Sequence, residues 1–149
     1  MKNTKCEKVV QVVLLIAKNF LKYHSKAGTP TNFEKAIRDG SKIHTIRSNF
    51  KEWEKKILKV QNGSGRLILK QWMGLPYRTP QIKLFDMKED VGIQMLEFID
   101  GKFIIDGKTE VEIESLAKND FLSLEDFNEW FKVFPTEPMA IIHFTKFRY

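Results

Sequence analysis

Cysteine is almost absent from this chain of 149 residues, which contains only Cys6. A single thiol cannot form an intrachain disulfide, and without a second cysteine there is no CxxC pair to bind a metal. The histidines at positions 24, 44 and 143 have no metal-ligand spacing either. We therefore expect no metal site, and the scarcity of cysteine suits a reducing, cytoplasmic compartment.

Glycine-rich phosphate loops and long apolar runs are missing as well. No motif of the P-loop or Rossmann kind occurs, so we expect no nucleotide or other cofactor. The apolar run from Val9 to Ala17 follows Lys2, Lys5 and Lys8, as in a signal peptide, but Gln11 interrupts it and no small-residue cleavage site follows. The run is too short to span a bilayer. We interpret it as a buried first strand or helix and expect no membrane partner.

The chain has a net charge of +6 that is unevenly distributed. Residues 1–72 contain sixteen Lys and Arg against five Asp and Glu, whereas residues 73–149 contain nine against fourteen. Such asymmetry gives the fold a basic face and suits an anionic partner such as RNA. A solvated surface whose two halves attract each other explains the same distribution, so charge alone does not decide between them.

The hydrophobic content of 42% and the length predict a single domain over residues 1–149 with its own core. Helical spacing and capping signals predict four helices, over residues 33–39, 50–60, 112–119 and from Ser123 onward. Alternating apolar residues predict strands over residues 42–47, 66–72, 82–85, 91–99, 102–105 and 140–147. Asp100-Gly101 and Asp106-Gly107 are hairpin turn signals on either side of the strand over residues 102–105. Two groups of strands with helices between them indicate an α+β fold, with a small curved sheet or barrel and helices on its flank.

Two signals mark the last predicted helix. Ser123 and Asp126 form an S-x-x-D capping box at its start. A core-facing stripe follows at spacings i, i+3, i+4 and i+7, formed by Phe127, Trp130, Phe131 and Phe134. Pro135 and Pro138 are then expected to end the helix.

Two short motifs resemble the signatures of ASCH domains. Residues 40–47, Gly-Ser-Lys-Ile-His-Thr-Ile-Arg, are similar to the family's G-x-K-x-x-T-x-R signature. Residues 117–127 place Asp120 just before a capped helix and look like its second signature. Residues 71–78 and 141–144 are also similar to family segments, so the resemblance covers almost the whole chain. It implies a PUA-like small β-barrel, mainly antiparallel, with flanking helices, a fold associated with RNA.

The resemblance also implies an activity. One bacterial type in this family is an amidohydrolase that removes the acetyl group from N(4)-acetylcytidine, with a proposed triad of Lys, Thr and Glu. The matching positions here hold Lys42, Thr45 and Asp120, so the third carboxylate is one methylene shorter than in the family. The resemblance therefore makes these three residues the candidate catalytic residues.

Amide hydrolysis needs a nucleophile, a base to activate it and an acid for the leaving nitrogen. Thr45 would be the nucleophile. Lys42 would be its base if burial and the neighbouring His44 and Arg47 lower the lysine pKa. Asp120 would either protonate the leaving amine or hold Lys42, and Arg47 would bind a carbonyl oxygen or a phosphate. His44 is a further candidate for binding substrate or RNA. The ordinary alternative is that these are surface groups beside a strand and a helix corner.

A second set of candidate binding residues follows the strand predicted over residues 66–72. Trp72, Tyr77 and Arg78 combine aromatic rings with a cation, as in proteins that stack a base and hold its phosphate. In the alternative interpretation Trp72 is a core residue and Tyr77 pins the loop. Three functions stay open: an amidohydrolase acting on an N-acylated pyrimidine nucleoside, a non-catalytic module that binds RNA or a modified base, and a ribonuclease using the same cleft.

Overall fold

The computed structural model describes residues 9–149, so Cys6 and the first three lysines lie outside the described residues. The strands are β1 (Val10–Leu15), β2 (His44–Arg47), β3 (Gly65–Trp72), β4 (Gln81–Met87), β5 (Gly92–Ile99), β6 (Lys102–Ile105), β7 (Thr109–Val111) and β8 (Met139–His143). The helices are α1 (Phe33–Asp39), α2 (Phe50–Gln61), α3 (Ile113–Asn119) and α4 (Leu124–Trp130). None of these helices combines the length and the apolar character that a bilayer crossing requires.

The strands form two sheets. In the first, β3 lies between β1, which runs parallel to it, and β4, which runs antiparallel. The second sheet has the order β2-β8-β5-β6-β7 and is antiparallel throughout. The predicted α+β fold with mainly antiparallel strands is therefore confirmed. The predicted barrel is not found in residues 9–149, because each sheet ends at two strands that have one partner only.

Helix α2 joins the two sheets. It contacts β1 and β3 of the first sheet and β5 and β8 of the second. Ile57 and Val60 on its inner face are buried, and Phe50 and Trp53 pack against the same core. These four residues recur at helical spacing, so one side of α2 is apolar and fills the space between the sheets.

The Asp-Gly turns predicted from the sequence are present on both sides of β6. Asp100 and Gly101 have φ angles of 51° and 77°, and Asp106 and Gly107 have 53° and 70°. Two successive residues with positive φ are typical of the tight hairpin turns that match the twist of paired strands. The short connections explain why β5, β6 and β7 are neighbours in the sheet.

The last helix is shorter than the aromatic stripe predicted. It ends at Trp130, because Phe131 leaves the helical conformation with φ −111° and ψ 66°. Phe134 nevertheless packs on Phe103, with ring centroids 4.9 Å apart. The last residues of the aromatic stripe therefore pack against the core without being part of a helix.

The last strand is also shorter than predicted and ends at His143. The chain turns at Thr145, whose hydroxyl accepts a hydrogen bond from the amide of Phe147 at 3.3 Å. The strand nevertheless lies inside the second sheet, between β2 and β5. The turn after it carries Tyr149 back against Gln94, where the tyrosine amide donates to the glutamine side chain at 2.9 Å.

Replacing Ile57 by Ala is expected to lower the free energy of unfolding by about 2–5 kcal/mol, because the smaller side chain leaves a cavity between the two sheets. Leu58 is the neighbouring residue on the same helix and is 57% exposed, so Leu58→Ala is the matched control. The control should change stability by no more than about 0.5 kcal/mol. Urea unfolding followed by circular dichroism measures both, and equal losses would contradict this orientation of α2.

Candidate functional site

The turn between α1 and β2 carries Lys42 into the interior. Gly40 ends α1 with a φ of 85°, a left-handed conformation that favours glycine. The amide of Lys42 donates to the carbonyl of Ala36 at 3.0 Å, and the next amide donates to the carbonyl of Asn119 at 3.0 Å. The second bond ties the turn to the end of α3, so that Lys42 faces Asp120.

Lys42 and Asp120 form a buried ion pair. The lysine Nζ donates to Oδ1 of Asp120 at 2.7 Å and to its backbone carbonyl at 2.8 Å. The two residues are only 2% and 4% exposed. The ammonium also lies 4.2 Å from the centre of the Phe33 ring, a favourable cation–π distance. An ammonium has three N–H donors, and these three contacts account for them.

Burial and nearby charges act on this pair in opposite directions. Burial lowers the pKa of Lys42, while the Asp120 carboxylate raises it and Arg47 lowers it, and the result lies below the usual lysine value. Burial raises the pKa of Asp120, but the charge of Lys42 and a contact with His44 outweigh burial and bring it below its usual range. Asp120 is therefore a carboxylate, a form that suits holding Lys42 and does not suit donating a proton.

Thr45 and Arg47 lie on the same side of β2, as residues two apart on a strand do. The Arg47 Nη1 donates to Oγ1 of Thr45 at 2.7 Å and to the carbonyl of Ile46 at 3.1 Å. Its Nη2 donates to the carbonyl of Leu15 at 2.7 Å, which ties β2 to the end of β1. Burial lowers the pKa of Arg47 and Asp120 raises it, and a guanidinium keeps its charge in such surroundings.

The four side chains meet around one small cavity. Lys42, Thr45, Arg47 and Asp120 line it together with Ile16, Ala17, Phe33, Ile46 and Trp130. Its volume is about 20 Å³, which is enough for one water molecule. Two cations against one carboxylate give its lining a formal charge of +1. The cavity therefore suits a small group that carries negative charge, such as a polarised carbonyl oxygen.

His44 lies beside Asp120 and does not line the cavity. Its Nε2 is 2.6 Å from the hydroxyl of Tyr149, which accepts a hydrogen bond from Asn119 at 3.0 Å. Burial raises the pKa of Tyr149 to about 12, so this hydroxyl keeps its proton. If the hydroxyl donates to Nε2, the proton of His44 is on Nδ1, which lies 3.4 Å from Oδ1 of Asp120. His44 is therefore placed to hold the carboxylate.

His143 is buried on the same sheet. Its Nε2 is 2.9 Å from the side-chain oxygen of Gln94. Burial, with smaller contributions from His44 and Arg148, lowers its pKa to about 3. The ring is therefore neutral at physiological pH and belongs to the packing around the site.

The structure does not bring the second candidate set to the cavity. Trp72, Tyr77 and Arg78 are not among its lining residues. Tyr77 is 88% exposed, has a φ of 63°, and its ring lies 5.1 Å from that of Trp72, which is half-buried outside the core. The loop lies near the end of β1, because Nζ of Lys18 donates to the carbonyl of Met73 at 3.3 Å. These residues remain candidates for a separate surface contact.

Sequence reasoning missed three aromatic residues of the site. Phe33 and Trp130 line the cavity, but aromatic residues at helical spacing are typical of a core and give no functional signal. Tyr149 supports His44 from a position outside both motifs. Only the fold brings these rings together, so spacing along the chain could not have identified them.

Comparisons with protein-family models, with curated proteins and with solved structures found no match for this chain. Within residues 9–149, no group of three or more His, Cys, Asp or Glu side chains is arranged to hold a metal ion. The ASCH resemblance therefore stays a prediction based on its motifs, and the site is argued from its own geometry.

Replacing Asp120 by Asn is expected to lower the free energy of unfolding at pH 7 by about 3–5 kcal/mol, because it leaves the Lys42 charge buried without its partner. The pKa of Asp120 is lowered in the folded state. Its contribution is therefore present above the unfolded value of about 4 and is lost as pH falls below it. The difference between wild type and variant should thus be largest at neutral pH and shrink in acid.

Urea unfolding between pH 7 and pH 2.5 measures this difference. Glu137→Gln is the control, because Glu137 is exposed and its replacement removes the same charge from the surface. A variant as stable as wild type at pH 7, or a difference independent of pH, would contradict the buried ion pair.

Proposed function

We propose that this chain is a cytoplasmic ASCH domain of the PUA-like class that hydrolyses the N(4)-acyl group of a cytidine nucleoside. The observation that carries the proposal is the convergence of the buried Lys42, Asp120 and Thr45 with the half-buried Arg47 around one water-sized cavity. The buried Lys42 ammonium cannot reach the phosphates of a polynucleotide, and a polar cluster of this kind is typical of sites that act on a small reacting group. The family and the PUA-like class rest on the two motifs.

Thr45 is the nucleophile in this proposal. Its Oγ1 attacks the acyl carbon, a C–O bond forms, and the electrons of the carbonyl bond move onto the oxygen. Arg47 already donates to Thr45 Oγ1 at 2.7 Å, so its guanidinium lies beside the atom that attacks. There it stabilises the oxyanion, a contribution that is large in a site without bulk water.

Lys42 carries the proton. It has to be neutral to take the proton from Thr45, and burial together with Arg47 lowers its pKa towards that form. The amine returns the proton to the nucleoside nitrogen as the C–N bond breaks, and a water then hydrolyses the acyl-threonine to release the carboxylate. Asp120 keeps the amine in place through its 2.7 Å contact.

Incubation with N(4)-acetylcytidine, followed by chromatography for cytidine, tests the activity. Thr45→Val keeps the shape of the side chain but lacks the hydroxyl, so it should reduce the rate at least about a hundredfold. Thr45→Ser keeps the nucleophile and should retain measurable turnover. Wild type that leaves N(4)-acetylcytidine intact would remove the amidohydrolase proposal, as would a Val variant as active as the Ser variant.

A second candidate function, RNA binding without catalysis, is favoured by the surface of α2. This helix exposes four lysines, Lys51, Lys55, Lys56 and Lys59, and none of them lines the cavity. Glu52 and Glu54 are exposed on the same helix and offset half of that charge. Exposed lysines can neutralise phosphates and release counterions, which the buried Lys42 cannot do.

Replacing the four α2 lysines by Gln is expected to reduce the salt dependence of RNA binding. For a single strand, the slope of log K against log salt concentration should become shallower by about 0.7 for each phosphate that the variant no longer neutralises. Fluorescence anisotropy with a labelled single-stranded RNA at several salt concentrations measures the slope. The matched control replaces four exposed lysines of the second half, Lys102, Lys108, Lys118 and Lys146, by Gln. The same slope change in both variants would contradict an α2 interface.

A further inference from the structure

A larger cavity lies beside the small one, and Trp130 lines both. This outer chamber is formed by Leu21, Tyr23, His24, Glu129, Trp130 and Lys132. Its volume is about 330 Å³, which falls in the range of small-molecule sites, about 300–1,000 Å³. Trp130 therefore borders both the outer chamber and the cavity that Lys42 and Thr45 line.

Two aromatic rings of the outer chamber differ in how firmly they are held. Trp130 is half-buried and packs on Phe20 and Phe33, with ring centroids 5.9 Å and 5.7 Å away. Tyr23 is 76% exposed, and Nζ of Lys22 lies 5.6 Å from the centre of its ring. A fixed indole and an accessible phenol ring are suited to stacking on a planar heterocycle.

His24 forms a wall of the outer chamber and has no hydrogen-bonding group left for a ligand. Its Nδ1 accepts a hydrogen bond from the amide of Lys26 at 3.0 Å. Its Nε2 therefore carries the proton and lies 3.3 Å from the carbonyl of Asp126. The charged groups that remain for a ligand are those of Glu129 and Lys132.

The carboxylate of Glu129 is held in place by Ser25. The amide and the hydroxyl of Ser25 each donate to one of its oxygens at 2.7 Å. These bonds lower the pKa of Glu129, so the group is a carboxylate at neutral pH. A carboxylate accepts about four hydrogen bonds, which leaves acceptor positions on both oxygens. Two fixed acceptors side by side suit two neighbouring hydroxyl groups, as on a ribose.

We propose that the outer chamber binds a ribonucleoside, with the base stacked on Trp130 and Tyr23 and the ribose hydroxyls bound by Glu129. This inference rests on the proposed function and names the part of the site that holds base and sugar. The inner cavity has room for one water molecule and not for a ring. The base therefore stays outside Trp130, and only the acyl carbonyl approaches Thr45.

Titration calorimetry with cytidine tests the stacking. Tyr23→Ala should weaken binding about tenfold, because one stacking partner is removed, whereas Tyr23→Phe keeps the ring and should bind as wild type does. Val133→Ala is the control, since Val133 is exposed and does not line the outer chamber. Failure of wild type to bind cytidine, or equal binding by Tyr23→Ala and Val133→Ala, would overturn the proposal.

The ribose hydroxyls have their own test. Wild type should bind 2′-deoxycytidine several-fold more weakly than cytidine, because the deoxynucleoside lacks one hydrogen bond to a charged acceptor. Glu129→Gln should bind cytidine more weakly and reduce the preference for ribose. An unchanged preference in Glu129→Gln would remove the carboxylate from the site.

The outcomes separate this inference from the proposed activity. Cytidine binding that depends on Tyr23, without hydrolysis of N(4)-acetylcytidine, leaves the outer chamber standing and removes the amidohydrolase. Hydrolysis whose KM is the same in wild type and Tyr23→Ala supports the amidohydrolase and removes the outer chamber.

Discussion

The buried ion pair between Lys42 and Asp120 connects two parts of the chain that are 78 residues apart in sequence. Removing two charges from water costs several kcal/mol, and a buried pair is stable only where its remaining hydrogen bonds are satisfied. Here the lysine has a carboxylate, a carbonyl and the Phe33 ring as partners. The backbone bond from Ile43 to Asn119 holds the two segments at this distance. The position of β2, and with it of Thr45 and Arg47, depends on this junction.

The same junction sets the chemistry of the cavity. Asp120 forms its salt bridge with Lys42, whereas the hydrogen bonds of Arg47 go to Thr45, Ile46 and Leu15. A guanidinium bound to neutral acceptors still attracts developing negative charge, and in a cavity with room for one water molecule that attraction is stronger than in bulk water. The structure therefore combines a hydroxyl with a cation that is not paired to a carboxylate. Lys42 contacts Asp120, and Thr45, the proposed nucleophile, accepts a hydrogen bond from Arg47.

The sequence predicted the local features of this fold well and the distant contacts poorly. The Asp-Gly turns and the Ser123 cap depend on residues a few positions apart, and Ser123 Oγ does accept from the Asp126 amide at 3.1 Å. The Asp126 carboxylate, which a capping box would direct back to the helix start, instead binds Lys26 at 2.8 Å. The parallel pairing of β1 with β3 joins Val10 to Gly65, a contact that no local pattern specifies.

The candidate site likewise has one part that local sequence predicted and another that depends on distant contacts. Motif spacing was sufficient to select Lys42, Thr45, Arg47 and Asp120, because the first three stand within six residues and share one turn and one strand. Trp130 and Tyr149 reach the site through the end of α4 and the turn after β8, so their roles depend on tertiary structure. The loop with Trp72, Tyr77 and Arg78 has the aromatic and basic residues expected of a binding site. Tyr77, however, does not line the cavity.

Charge and burial together separate two of the three functions that the sequence left open, hydrolysis and RNA binding. A cation that binds phosphates and releases their counterions has to be exposed to water in the unbound protein, as the lysines of α2 are. A cation that would stabilise an oxyanion acts more strongly when shielded from water, as the buried Lys42 is fully and the half-buried Arg47 is in part. Residues 1–72 contain both kinds of cation, and the lysines of α2 do not line the cavity that Lys42 and Arg47 line. The proposed RNA binding and the proposed hydrolysis therefore depend on different groups, and the loss of either leaves the physical basis of the other intact.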